Sequence, residues 1–190
     1  MTSARSKLVG VLTVIALVAL SAVGLRLSDA EEKPYQVIRG VQGEPVKINN
    51  GEITVTQVRV GTVLEEHDEI QDQTAGMFVA VTVTGAATGP KPLRLDGSRL
   101  LSRQVRYDGY RIAGGARAQP GFETVADVIF EVDPAQIHDL TLEMWPNEVI
   151  TGYQQRVQIP LGITAGNAEQ WRAAARGPIE LAPNTTRGIP

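Results

Sequence analysis

Hydrophobic and polar positions follow two different rhythms along this chain. Residues 8–25, LVGVLTVIALVALSAVGL, carry no charge, and only Thr13 and Ser21 interrupt the apolar run with hydroxyls. Beyond residue 50 the rhythm becomes alternation. EITVTQVRVGTVL, from Glu52, sets Ile53, Val55, Val58 and Val60 among polar residues, with one slip of phase near Gln57. MFVAVTVTG, from Met77, places Phe78, Ala80, Thr82 and Thr84 on one face and Met77, Val79, Val81 and Val83 on the other. FETVADVIFEVD and HDLTLEMW read the same way. β-Branched residues at period two predict half-buried strands of an antiparallel sheet. Asn50-Gly51, Gly89-Pro90 and Pro120-Gly121 punctuate the runs, and Asp108-Gly109 between Tyr107 and Tyr110 predicts a two-residue hairpin. The spacing predicts an all-β fold of seven to eight strands, an antiparallel β-sandwich rather than a parallel α/β sheet.

The ends differ from this middle. Eighteen apolar residues rise about 27 Å as a helix, close to the ~30 Å hydrocarbon core of a bilayer. Arg5 and Lys7 precede the run, so one transmembrane helix with a cytoplasmic N-terminus and an extracytoplasmic remainder is expected. A cleaved signal peptide is the competing reading, with Ser28-Asp29-Ala30 as a processing site. At the other end NAEQWRAAARGP predicts a short C-terminal helix, capped by Asn167 with Gln170 three residues on and stopped by Gly177-Pro178. The expected division is a stub and anchor over 1–27, a linker over 28–39, the sandwich over 40–163, and a short helix with a loosely ordered tail over 164–190.

Two stretches resemble a known family. AGMFVAVTVTG is similar to the "Gly, one residue, Phe-Val-x-Val-x-Val" strand of the telokin-like, immunoglobulin-like domains of unknown function in membrane-anchored proteins and lipoproteins of Gram-positive bacteria. QPGFETVADVIFEVD resembles that family's later Pro-Gly strand. The resemblance covers about residues 40–163 and implies an extracytoplasmic immunoglobulin-like sandwich tethered at the membrane. It departs where Gly85-Ala86-Ala87 replaces the polar Asn that often ends the Phe-Val strand. It implies no catalytic residues.

Charge and chemistry narrow the function. The net charge of −3 over 190 residues argues against nucleic acid as a partner. Without cysteine there are no disulfides, thiolate ligands, cysteine nucleophiles or lipidated cysteine. LEEHDEIQDQ, residues 64–73, gathers Glu65, Glu66, Asp68, Glu69, Asp72 and His67. These oxygens suit calcium, but the EF-hand spacing is missing and zinc would want more than His67 and His138. A solvated loop is the simpler expectation. Neither DGSRL nor LLSRQ resembles a nucleophile elbow, and no phosphate-binding glycine motif is present. No cofactor and no enzymatic activity are expected.

One basic run remains: Arg94, Arg99, Arg103, Arg106, Arg111 and Arg117 face only Asp96 and Asp108 in the same stretch. As a solvated hairpin, these arginines would pair with the acidic stretch or with Glu131 and Glu143. As a binding face, Arg99, Arg103, Arg106 and Arg111 would meet an envelope protein or an anionic polymer, because the guanidinium fork suits carboxylate and phosphate. Trp171 on the terminal helix is a further candidate contact. The expected function is a membrane-tethered extracytoplasmic binding or adaptor module. The alternatives are an accessory subunit of a larger envelope membrane complex, or a carboxylate-dependent envelope hydrolase.

Overall fold

The alternation from Met77 to Gly85 builds the middle strand of the largest sheet, and the rest of the fold is arranged around it. The structure is a computed structural model and describes residues 35–103, 105–112, 115–146 and 154–189. The apolar segment 8–25, expected to span the membrane, lies outside the described residues. Among the described residues no helix is long and apolar enough to cross a membrane. In chain order the strands are β1 Tyr35–Arg39, β2 Val46–Ile48, β3 Gly51–Glu66, β4 Glu69–Ala86, β5 Leu93–Leu95, β6 Gly97–Ser102 and β7 Val105–Asp108. They continue as β8 Arg111–Ile112, β9 Ala116–Ala118, β10 Phe122–Val132, β11 Thr141–Trp145, β12 Gln154–Pro160, β13 Pro178–Glu180 and β14 Thr185–Gly188. A single α-helix among the described residues, α1, spans Ala168–Ala174, and one 3-10 turn spans Pro134–Gln136.

The fold is all-β, with fourteen strands among the described residues where seven or eight were expected. A five-stranded sheet has the order β1-β12-β11-β6-β7. A seven-stranded sheet has the path β13-β3-β4-β10-β14, with β2 beside β3 and β8 beside β10. The ribbon β5-β9 is a separate two-stranded sheet whose Leu93, Leu95, Ala116 and Ala118 join the apolar core. The two large sheets enclose one apolar core: Val79, Val81, Val128 and Phe130 from the larger meet Leu100, Leu142, Met144 and Val157 from the smaller. Alternation explains this, since every second residue of a strand points to the same side.

Three expectations change. The acidic stretch is not a loop. β3 and β4 run on through it and turn at His67-Asp68, both at positive φ (54° and 62°), with Glu66 paired to Glu69. Two left-handed residues match the twist of flanking strands in a tight hairpin. Asp108-Gly109 is not a hairpin either. β7 pairs with β6 and β8 with β10, so the chain crosses between sheets there. Tyr107 points toward the inter-sheet core, where burial raises the pKa of its hydroxyl. Tyr110 instead packs on Phe78, ring centroids 5.4 Å apart, on the outer side of the large sheet. Two tyrosines committed to different layers pull the turn open.

The third change concerns the ends. Residues 35–39, expected as linker, form β1 and pair in parallel with β12. The tail, expected to be loosely ordered, forms two strands. β13 pairs in parallel with β3, and β14 pairs antiparallel with β10. Because β3 and β10 lie on opposite sides of β4, the residues between β13 and β14 cross the outer face of the large sheet as a strap. A second apolar cluster explains why: Leu64, Phe78, Ala80 and Ile129 project outward and are covered by Ile179 and Leu181. A Cβ at Gly61 would stand 2.6 Å from the Gly177 carbonyl oxygen, so glycine lets the strap come close.

A buried carboxylate fastens this strap. Asp127 on β10 has no solvent exposure. Its Oδ2 accepts from Arg59 Nη2 at 2.5 Å and from the Ala182 backbone N–H at 2.7 Å. Its Oδ1 accepts from Thr82 Oγ1 at 2.6 Å. Arg59 also donates to the Glu180 carbonyl, tying the strap from the β3 side. Stripping one partner from a buried pair costs several kcal/mol, because the other charge stays desolvated. Arg59 keeps some water access (22% exposed), which places the loss toward the lower end. Asp127→Ala should therefore lower stability by about 3 kcal/mol, a fall of roughly 6–12 °C in Tm for a domain of this size. Amide exchange should quicken over 179–188 well before it does in β12. Equal loss of protection in both regions would show that Asp127 is not the fastener.

Candidate functional site

With one outer face strapped, the other outer face of the two-layer domain is the surface to build upward. Along β11, Leu142 and Met144 point into the core, so Thr141, Glu143 and Trp145 point out. The same logic brings Arg156 and Gln158 outward from β12, Arg99 and Gly97 from β6, and Tyr35 from β1. These side chains converge on Glu143, which is only 1% exposed. Arg99 Nε donates to its Oε2 at 2.5 Å, Gln158 Nε2 donates to its Oε1 at 2.8 Å, and Arg156 Nη1 lies 3.5 Å from Oε2. Two guanidinium groups against one carboxylate leave one positive charge at the cluster.

Aromatic rings frame the cations. The Arg156 guanidinium lies 3.7 Å from the Tyr35 ring centroid and 5.4 Å from that of Trp145. Arg99 lies 5.1 Å from the Trp145 ring. A cation over an aromatic face within about 6 Å is attracted by the ring quadrupole. The row Tyr35, Arg156, Trp145, Arg99 thus crosses the sheet from β1 to β6. Trp145 lies over Gly97, its cross-strand partner; a Cβ there would fall 2.2 Å from Trp145 Cε2. The missing side chain of Gly97 is the seat of the indole.

The arginines singled out in the sequence are separated by this fold. Arg99 belongs to the cluster just described, with its side chain 14% exposed. Arg106 is exposed on β7, at the neighbouring edge of the same sheet. Arg103 sits past the end of β6 and pairs with Asp139, Nε to Oδ2 at 2.8 Å. Arg111 belongs to the other sheet, opposite Ile129 on β10. Trp171 is half-buried and packs against the inter-sheet core from α1. Ala168 and Ala175 are buried beside it, as their shared face predicts. Asn167 occupies the N-cap position of α1, as expected, but its side chain makes no capping hydrogen bond. Its Oδ1 accepts from the Thr164 N–H and its Nδ2 donates to the Gly162 carbonyl, bracing the loop before the helix instead. The acidic hairpin meets the stretch that carries the basic run where the Tyr110 hydroxyl donates to Asp72 Oδ2 at 2.5 Å. No group of three or more metal-ligating side chains occurs among the described residues.

The sequence does not single out Tyr35 or Arg156, because 35–39 reads as linker and QQRVQIP is too short to mark its strand. The alternation in HDLTLEMW already put Glu143 and Trp145 on one face. Comparison with protein families, with curated proteins and with solved structures finds no match for this chain. A direct check of the seat is Gly97→Ala, read by fluorescence in a Trp171→Phe background that leaves Trp145 as the sole tryptophan. The added methyl should displace the indole, shift its emission to the red, and cost about 1–3 kcal/mol. An unchanged spectrum would contradict the packing of Trp145 on Gly97.

Proposed function

We propose that this protein is a binding module held outside the cell membrane by its N-terminal apolar segment. Its working surface, on this reading, is the outer face of the five-stranded sheet. One observation carries it: Tyr35, Arg156, Trp145 and Arg99 form a continuous row around a buried carboxylate. Trp, Tyr and Arg are the residue types that dominate binding energy at protein interfaces, and here their rotamers are held before any partner arrives. The residual positive charge suits a partner with an acidic surface. An immunoglobulin-like sandwich, tethered as in the Gram-positive domains the sequence resembles, is the architecture that fits this role. The partner is an envelope protein, since a face of preset aromatic and arginine side chains suits a folded surface better than a flexible chain.

The test is a crosslinking pulldown from intact membranes, comparing the full chain with Tyr35→Ala and with Arg156→Gln. Each variant should reduce recovery of a specific protein by about tenfold or more while Tm moves by only a few degrees. Undiminished recovery in both variants would refute the assignment of this face. If recovery survives both but is lost when 8–25 is replaced by an unrelated apolar segment, the helix carries the contact and the chain is a membrane-complex subunit. Recovery of an anionic polymer in place of a protein would overturn the choice of partner.

A further inference from the structure

The ribbon β5-β9 carries two arginines directly opposite each other, Arg94 and Arg117. Like charges so placed repel across a strand pair, and a fold tolerates them at a cost unless something negative lies between. Asp96 neutralises one: Arg117 Nε donates to its Oδ1 at 2.5 Å. Arg94 is exposed and has no ion-paired partner among the described residues. Beside this pair lies a groove of about 440 Å³, within the usual range of small-molecule sites. Arg94, Asp96 and Arg117 form one wall, and Thr124 with Thr186 belong to the other. The two threonine hydroxyls stand 3.3 Å apart, joining β10 to β14. Pro92 adds an apolar border, whereas the side chains of Leu93 and Ala118 point away from the arginine pair into the inter-sheet core.

We propose that this groove binds a small monocarboxylate. The charge balance selects the class: two guanidinium groups against one carboxylate leave a single positive charge, which matches one carboxylate rather than a dianion. Arginine offers a planar pair of N–H donors that fits a carboxylate in two hydrogen bonds. Pro92 leaves room for a short carbon body, and the threonine pair can exchange hydrogen bonds with an amide or hydroxyl carried by that body. Arg94 is the binding residue, Arg117 the second cation held in place by Asp96, and Thr186 a selector for the polar substituent. Thr186 comes from β14, so the site is complete only when the end of the chain is docked on β10. The inference stands apart from the sheet-face reading, because the groove shares no residue with that row.

The test uses the full chain in membranes and follows modification of Arg94 and Arg117 by phenylglyoxal, read peptide by peptide. The probes are N-acetylalanine, its neutral amide and methyl phosphate. N-acetylalanine should slow modification of both arginines relative to Arg106, and the amide should not. Arg94→Gln, an exposed substitution, should weaken protection of Arg117 about tenfold, the size expected for losing a charge-assisted hydrogen bond. Thr186→Val should weaken it less while leaving the preference for acid over amide. Equal protection by acid and amide, or undiminished protection in Arg94→Gln, would overturn the site. Stronger protection by methyl phosphate would overturn the choice of carboxylate.

Discussion

The Asp127 carboxylate, sealed beneath the strap, is the contact on which the arrangement of this domain depends. Strands β3, β4 and β10 are buried on both faces, yet the five-stranded sheet covers only one of them. Something must cover the outward-facing Leu64, Phe78, Ala80 and Ile129, and the end of the chain does so. Apolar contact alone would leave the tail's path loosely specified, since Ile179 and Leu181 could slide across a greasy surface. Asp127 removes that freedom. Any path that withholds the Ala182 N–H or the Arg59 guanidinium leaves a fully buried charge short of partners, at a cost of several kcal/mol. Such a pair adds modest net stability but sets the register strictly, and that register brings Thr186 to Thr124.

The two outer faces share one device put to different uses. Each carries a carboxylate with almost no exposure, clamped by arginine: Asp127 by Arg59, and Glu143 by Arg99 and Arg156. On the large sheet the remaining hydrogen-bonding capacity goes to the chain's own backbone, and the face is closed. On the small sheet it goes to Gln158, while Tyr35 and Trp145 flank the arginines and stay only half-buried. One face is consumed by folding. The other is organised and left accessible, which is why the proposed binding role belongs to it.

Much of this was legible in the sequence. The slip of phase near Gln57 is a register shift of β3 between Val55 and Gln57, where the strand passes an extra residue. The alternation from Met77 and from Phe122 forms the central pair β4-β10, in register from Val132 opposite Met77 to Glu123 opposite Ala86. What escaped notice was long-range. Asp127 sits in ADVIF, an otherwise apolar strand, and a lone acid there needs a buried partner; nothing local says that the partner is Arg59, 68 residues away. The tail looked formless because PIELAPN is too short to show a period by itself. Its structure comes from the outward apolar residues it covers, and in the sequence Phe78 and Ala80 read simply as the other face of a strand. Asp108-Gly109 misled for the converse reason: local turn chemistry was outvoted by Tyr107 and Tyr110 packing in separate layers. The basic run, read as one hairpin, is distributed over both sheets and a ribbon, because the chain changes sheets inside it.

The account's central claim is that the partner approaches the five-stranded sheet and not the strapped one. Site-specific photocrosslinking from intact membranes addresses this directly, with a photoreactive residue placed at Val37, which is on the face of Tyr35 and 38% exposed, or at Thr185, where the strap enters β14. The account predicts a discrete crosslinked protein from position 37 and none from position 185. Crosslinking from 185 alone would put the binding surface on the strapped sheet and contradict it.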